Sequence, residues 1–538
     1  LVEAFQTAIE EFGYQRAYIP AYPIKVNQKK EVVQDVVKFG QRYNLGIEVG
    51  SKAELTLALA LTRNVESPII CNGVKDEAYL KLALMSKQIG KKVFIVLESL
   101  FELRILLSLS QTLGIRPLIG LRLKLSARGS GKWEKSSGDL SKFGFTTTDL
   151  LTCLKLLGEA NLIDCLNLLH FHIGSQVTDI KRIKYAVKEA ARTYAKLQKL
   201  CPHLDYLDVG GGLGIDYDGS RTASESSVNY SVQEYANDII YSIKEVCESE
   251  DVVEPIVITE NGRMMAAPHA VLIFNVVNEL SLSNGPVQVT NPDSKPEVIQ
   301  EMYDLYTGIN AKNYREYYHD ILDQREEMFS LFNLGYLSLE DRGLGQELFW
   351  GVCERALKFA KIAKHMPEEF EDLEGRLSRK FISNFSVFQS IPDSWALDQL
   401  FPIMPIHRLN EAPTRKGYLA DLTCDSDGKV DSFVDLRDIK ESLELHALNG
   451  KPYYLGVFFT GAYQDVMGDY HNLFGQVHDV SVVIDTDGCS HIAKIVPGHK
   501  VEGVLQVFGY QRAELIEQFR GQVTEGAQGA GIGAERSE

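Results

Sequence analysis

At 538 residues the chain is too long for one hydrophobic core, so two or three domains are expected. Its 45% hydrophobic and 24% charged content is that of an ordinary soluble globular protein, and a formal charge of −17 argues against nucleic acid or an anionic membrane as a partner. Eight cysteines, at 71, 153, 165, 201, 247, 353, 424 and 489, form no C-x-x-C pair, which excludes a disulfide framework or cysteine zinc site and fits a reducing compartment.

The chain opens on Leu1 and runs straight into helix-like sequence (LVEAFQTAIEEFG), so it is expected to be a trimmed chain or fragment. With no signal pattern and no run of 18 apolar residues, the expected location is the cytoplasm. Residues 1–285 alternate short apolar runs with longer amphipathic stretches. The runs are 17–26, 45–49, 68–72, 92–98, 116–125, 165–173, 206–210 and 255–260. Between most of them lie segments such as KKEVVQDVVKFGQRY and IKRIKYAVKEAARTYAKLQKL, apolar at i, i+3, i+4 and i+7. The alternation predicts parallel strands with crossover helices, and the count of eight favours a (β/α)8 barrel over a doubly wound open sheet. Residues 286–380 are helical in period and heavily charged, and read as an inserted helical bundle or hairpin. From 381 to 520, short strands between turn residues predict a β-sandwich or β-barrel. The tail 521–538, GQVTEGAQGAGIGAERSE, is Gly-rich and polar and is expected to be disordered.

A parallel barrel carries its site at the C-terminal ends of its strands. Those ends are Lys25, Glu48, Asn72, Glu98, Arg122, His172, the glycines 210–212, and Glu260 with Arg263. Solvation explains any one polar strand end, but eight together favour a site. Lys25, in YPIKVN, interrupts an apolar strand. Desolvation there would lower its pKa and favour the neutral amine that attacks aldehydes; the alternative is a lysine snorkelling to the rim. The glycines of LDVGGGLGIDY (207–217) let backbone N–H groups approach a phosphate, although tight packing explains them equally well. Their spacing is not the dinucleotide fingerprint. In TENGR, Glu260 could face a pyridine nitrogen and Arg263 a phosphate, or the two could form a plain salt bridge. His170 and His172 of HFHIGSQ alternate onto one strand face, as two zinc ligands would, yet no other strand end offers a histidine. One neutral histidine stacked on an aromatic cofactor, with Ser175 reaching a phosphate, fits better.

In chain order, YPIKVN, EVGSKAEL, RGSG…KFG (128–144), FHIGSQ, DVGGGLG, ENGR, DLTCDSDG (421–428) and FFTGAYQDVMGDYHNLFG (458–475) resemble the alanine-racemase-type fold of pyridoxal 5'-phosphate (PLP) enzymes. Within that fold the chain is most similar to the basic amino acid decarboxylases, specifically the biosynthetic arginine decarboxylases. The resemblance implies PLP as cofactor, carried by Lys25, with His172 stacked on its ring and Glu260 on its ring nitrogen. Gly210, Gly211, Gly212, Ser175, Arg263 and Tyr463 are implied as phosphate contacts, and Glu48 and Arg122 as residues flanking the cofactor. Leu207, Asp208, Gly214, Asp216 and Tyr217 are implied as substrate-binding positions. Cys424 is implied to manage reprotonation after carbon dioxide leaves, and Asp425 to grip the distal cation of the substrate. Both enter the site from a neighbouring subunit in the family, so a dimer or higher assembly is implied.

Magnesium is associated with the arginine enzymes, although no acidic cluster marks a site for it. ENGR departs from the E-P-G-R of the wider fold but keeps Glu260 and Arg263. The implied reaction converts L-arginine to agmatine and carbon dioxide, feeding polyamine (putrescine and spermidine) biosynthesis. Ornithine, lysine and diaminopimelate are alternative substrates. A racemase and a PLP-binding regulatory homologue are alternative roles, and a metal hydrolase a distant one.

Overall fold

The computed structural model describes residues 1–126, 142–283, 285–362, 366–435 and 439–530, so RGSG at 128–131 lies outside the described residues. The chain divides into two compact units, one of residues 1–272, 388–402 and 457–538, the other of residues 273–387 and 403–456.

The first unit holds a closed barrel of eight parallel strands hydrogen-bonded in sequence order. The strands are β1 (Tyr18–Pro23), β2 (Gly46–Val49), β3 (Ile69–Cys71), β4 (Val93–Leu97), β5 (Leu118–Arg122), β6 (Leu166–His170), β7 (Tyr206–Asp208) and β8 (Ile256–Glu260). Each falls inside one of the eight predicted apolar runs. Its helices are α1 (Val2–Phe12), α2 (Lys30–Gly40), α3 (Lys52–Leu61), α4 (Glu77–Gln88), α5 (Leu100–Leu113), α6 (Thr147–Glu159), α7 (Ile180–Gln198), α8 (Val232–Glu250) and the short α9 (Arg263–Ala266).

The barrel interior is a packed core of Ala21, Ile70, Phe94, Val96, Leu168 and Ile258. Gly120 on β5 makes room for it, since a Cβ there would stand 2.9 Å from Leu168 and 3.0 Å from Val96. The turns into the helices are set by caps. Ser51, Asp76 and Ser99 accept from a first-turn N–H of α3, α4 and α5, while Thr146 and Ser231 form full capping boxes on α6 and α8. Ser51 and Ser99 stand three residues and one residue after Glu48 and Glu98, so the chain leaves each strand end at a fixed point.

Three strands stop two residues before their predicted ends, β7 among them, which closes at Asp208 short of Gly210. β1 ends at Pro23, which has no N–H to continue the ladder, and Lys25 sits on a following 3-10 turn, Ile24–Val26. β6 ends at His170, so His172 lies two residues past the strand.

In the second unit, β9 (Val271–Leu280) runs antiparallel to β10 (Arg379–Ser383) in a seven-stranded sheet. β9 therefore belongs to the β part, not to the barrel that the boundary at 285 assigned it to. Between these strands stand α10 (Glu297–Gly308), α11 (Tyr314–Asn333), α12 (Leu339–Ile362) and α13 (Glu368–Leu377), packed around Ile299, Met302, Ile321, Met328, Leu348 and Val352. This is the helical insertion.

The last predicted region also departs from an all-β reading. A hairpin of Asp479–Ile484 with Ser490–Val496 is followed by helices Val501–Val507 and Arg512–Ala530. The tail is thus helical, not disordered, as far as Ala530, where the good helix formers Ala, Gln and Glu outweigh its glycines; residues 531–538 lie outside the described residues. Among the described residues, no helix is long and apolar enough to cross a membrane.

Candidate active site

The strand ends of the barrel converge on Lys25. Its Nζ donates to Glu48 Oε2 at 2.7 Å, with Glu48 buried and the lysine side chain 44% exposed. The amine is thus paired with a buried acid while its side chain stays partly exposed. Burial pulls its pKa down, but the carboxylates of Glu48 and Glu260 outweigh burial and hold the ammonium above the ordinary lysine range. This reverses the expectation of a lowered pKa, because acids from two other strands supply what burial removes. Glu48 Oε1 has no hydrogen-bond partner, so the proton of Lys25 has an acceptor beside it. The turn carrying Lys25 is tied to a second one. Tyr463 N–H donates to Val26 O at 2.8 Å, and Asn27 Nδ2 donates to Gly461 O at 2.9 Å. Only glycine fits at 461, where a Cβ would stand 2.0 Å from Ala266 O.

Beside the lysine lies an anion-binding arrangement. Arg263, buried at the start of α9, donates through Nε to Ser175 Oγ at 3.2 Å and through Nη1 to Tyr217 OH at 2.9 Å. Its guanidinium also lies 4.9 Å from the centroid of the Tyr463 ring. Gly210 has φ +68° and Gly212 φ +118°, and a Cβ on Gly210 would stand 2.2 Å from Phe171 O. A Cβ on Gly211 would lie 3.1 Å from His172 Nε2. The glycine turn is thereby a cradle that side chains would fill, and it brings His172 against it. His172 Nδ1 accepts from Gly174 N–H at 2.9 Å. Burial, then the Arg122 and Lys25 cations, hold the imidazole pKa well below its usual value, so the ring is neutral.

The floor is a buried polar cluster. Glu260 Oε1 accepts from Asn72 Nδ2 at 2.8 Å. His170 Nδ1 lies 3.8 Å from Glu260 Oε1 and 3.0 Å from Asp208 Oδ2, without the alignment of a hydrogen bond. Burial pushes the Glu260 carboxyl well up, reinforced by Asp208, and pushes Asp208 up to about 7. Burial also lowers His170, leaving it neutral. Four polar atoms of this floor, both ring nitrogens of His170, Asp208 Oδ2 and Asn72 Oδ1, have no hydrogen-bond partner. On one side Arg122 Nη1 reaches both oxygens of Glu98, at 3.2 and 3.1 Å.

These residues fit PLP. A lysine with a carboxylate to take its proton, a neutral imidazole, a dry acid for the pyridine nitrogen, and an arginine with a glycine cradle for the phosphate stand together at the strand ends of the barrel. Lys25, Glu48, Arg122, His172, Ser175, Gly210, Gly211, Gly212, Glu260, Arg263 and Tyr463 all lie in the first unit.

The positions implied for substrate divide. Leu207 and Asp208 are wholly buried in β7, Leu207 within the barrel wall and Asp208 in the floor, and neither is open to a substrate. Gly214 N–H donates to Tyr230 OH at 3.3 Å, Asp216 accepts from Ser227 Oγ at 2.7 Å, and Tyr217 serves Arg263. Cys424 and Asp425 belong to the second unit and are exposed, on a loop folded over Asp421, whose Oδ1 accepts from Thr423 N–H at 2.7 Å. Two groups escaped the sequence reading. His170 had been weighed only as a zinc ligand. Asp393, 2% exposed, accepts from Gln464 Nε2 at 2.8 Å and helps hold Arg263 charged. Nothing in the local sequence SIPDSW marks it.

Comparison with known proteins agrees with this geometry. Residues 1–267 match the pyridoxal binding domain of pyridoxal-dependent decarboxylases, and residues 292–374 match the arginine decarboxylase helical bundle domain. A biosynthetic arginine decarboxylase of Deinococcus radiodurans is 47% identical, over 97% of this chain and 79% of that protein. One of Thermosynechococcus vestitus is 46% identical, over 96% of this chain and 81% of that protein. The crystal structure of the biosynthetic arginine decarboxylase of Campylobacter jejuni superposes with a TM-score of 0.84 at 34% identity, covering 97% of this chain and 84% of that one. At 16% identity and a TM-score of 0.59, a diaminopimelate decarboxylase of Helicobacter pylori shares the fold. The chain belongs to the family of biosynthetic arginine decarboxylases, within the PLP-dependent amino acid decarboxylases.

Proposed function

We propose that this chain decarboxylates L-arginine to agmatine and carbon dioxide with PLP as cofactor, and so feeds polyamine (putrescine and spermidine) synthesis. The observation that carries the reading is the Lys25–Glu48 pair standing at the same barrel end as a neutral His172, the dry Glu260 floor and the Arg263–Ser175 cradle. Arginine is favoured among basic amino acids by the relatives at 46–47% identity, which bear that name, and by the helical bundle at 292–374.

When bound, PLP supplies an electron sink for the carbanion left as carbon dioxide departs. Lys25 would hold the cofactor, with Glu48 taking up and returning the lysine's proton. The neutral His172 would pack against the cofactor ring and keep water from it. Glu260, in a dry pocket with a donor from Asn72, partners the ring nitrogen. Arg263, Ser175, Tyr463 and the glycine turn hold the phosphate. Cys424 delivers the proton to the α-carbon, and Asp425 selects a substrate with a distal cation. The exposed positions of these two residues support their acting in the site of a neighbouring subunit, in a dimer or higher assembly.

Placement in the cytoplasm is supported by eight free cysteines, six of them buried. Magnesium, associated with the arginine enzymes, is assigned no residues; activity before and after chelation decides whether it is required. Carbon dioxide release assayed with L-arginine, L-ornithine, L-lysine and meso-diaminopimelate tests the reading. Arginine is expected to have the highest kcat/KM, and a preference for any other would overturn the substrate. Proton exchange at the α-carbon without carbon dioxide release would indicate a racemase.

A further inference from the structure

The side chain of Lys75 is wholly buried, and the chemistry above gives it no part. It stands four residues past the end of β3, in the loop that leads from Asn72 to α4. Its Nζ donates to Gly73 O at 2.5 Å and lies 3.3 Å from Glu102 Oε2, on a glutamate only 1% exposed. Burying two charges is costly, and an apolar pair of similar volume often folds as well or better. A barrel that needed only packing here would have little use for the pair.

The contacts made by Glu102 give the pair a purpose. Glu102 Oε1 accepts from Lys75 N–H at 3.0 Å, and its Oε2 accepts from Glu98 N–H at 2.8 Å. Glu98 in turn accepts from Gly73 N–H at 2.9 Å and receives Arg122. Gly73 has φ +71°, and a Cβ there would stand 2.9 Å from Gly50 O, so the loop is pressed against the end of β2 as well. The residue before it is Asn72, whose amide reaches Glu260. The pair therefore grips the chain at the ends of β3 and β4. From that grip one arm leads through Asn72 to the acid of the floor, and the other through Glu98 to Arg122.

We propose that Lys75 and Glu102 are positioning residues for the cofactor pocket, fixing Asn72 against Glu260 and Glu98 against Arg122. This rests on the reading of the pocket as a PLP site. The test is Lys75→Met/Glu102→Gln, which removes both charges while leaving one acceptor for the two backbone N–H groups. Lys75→Met alone, in which Glu102 keeps both of its backbone N–H donors, is the companion variant should the double one fold poorly. PLP binding to the cofactor-free proteins is followed by absorbance, with thermal unfolding measured alongside.

The Kd for PLP is expected to rise about tenfold, the loss of roughly one well-placed hydrogen bond, and the absorption maximum of the bound cofactor to shift. A merely structural pair would lower the unfolding temperature and leave both readouts as in the wild type, which would overturn the proposal. Failure of the wild-type protein to bind PLP would instead strike the reading of the pocket itself, so the two failures are separable.

Discussion

Asp208→Asn probes the floor of the pocket through its protons. Burial lifts the Asp208 carboxyl from its ordinary 3.8 to about 7. Between those two values the folded protein keeps a proton that the unfolded chain has released, so stability falls as pH rises through the window. At pH 8 the ionised Asp208 costs the folded cofactor-free protein up to about 4 kcal/mol, at 1.36 kcal/mol per pH unit. Asparagine imitates the protonated acid at every pH and keeps an oxygen to accept from Gly210 N–H, which Asp208 Oδ1 accepts at 2.9 Å. The variant should therefore be the more stable protein at pH 8, with its advantage shrinking steadily toward pH 4. The measurement is thermal or urea unfolding of both cofactor-free proteins across that range, comparing the first transition because a chain of two units need not unfold in one step. Curves that run parallel across the range would refute a raised Asp208 carboxyl.

The other predictions bear on the cofactor and the assembly. Lys25→Ala should abolish decarboxylation while the protein stays folded, and appreciable residual carbon dioxide release would remove the lysine from its role. Arg263→Met should raise the Kd for PLP roughly a hundredfold, the range of a charge-assisted contact, and leave affinity for pyridoxal, which lacks the phosphate, unchanged. An equal loss for both ligands would show that Arg263 serves packing. Mixing Lys25→Ala with Asp425→Ala, each inactive alone, should restore about a quarter of wild-type activity by random exchange between symmetric dimers. No recovery after demonstrated subunit exchange would place both residues in one chain's site.

Legibility followed the range of the interactions. Strands buried on both faces read as continuous apolar runs, so all eight barrel strands were visible, and with them the positions at their ends. β9 was missed although it opens on the apolar run VLIF, because it serves an antiparallel sheet in which buried Phe274 and Val276 alternate with more exposed neighbours, and its partner β10 stands about a hundred residues on. The charge of Lys25 was misjudged for a different reason. Its local sequence shows only apolar neighbours, and the groups that decide its proton come from Glu48, 23 residues on, and Glu260 on the last strand.

The same separation hides the layer behind the site. Asn72 meets Glu260 across 188 residues and Lys75 meets Glu102 across 27, pairings that no periodicity encodes because a barrel makes neighbours of strand ends from all along the chain. The residues proposed to touch the cofactor announce themselves by type, as a lysine, a histidine or a run of glycines. Those that hold them in place are ordinary acids, amides and lysines, whose role is legible only once closure of the barrel gives each of them a partner.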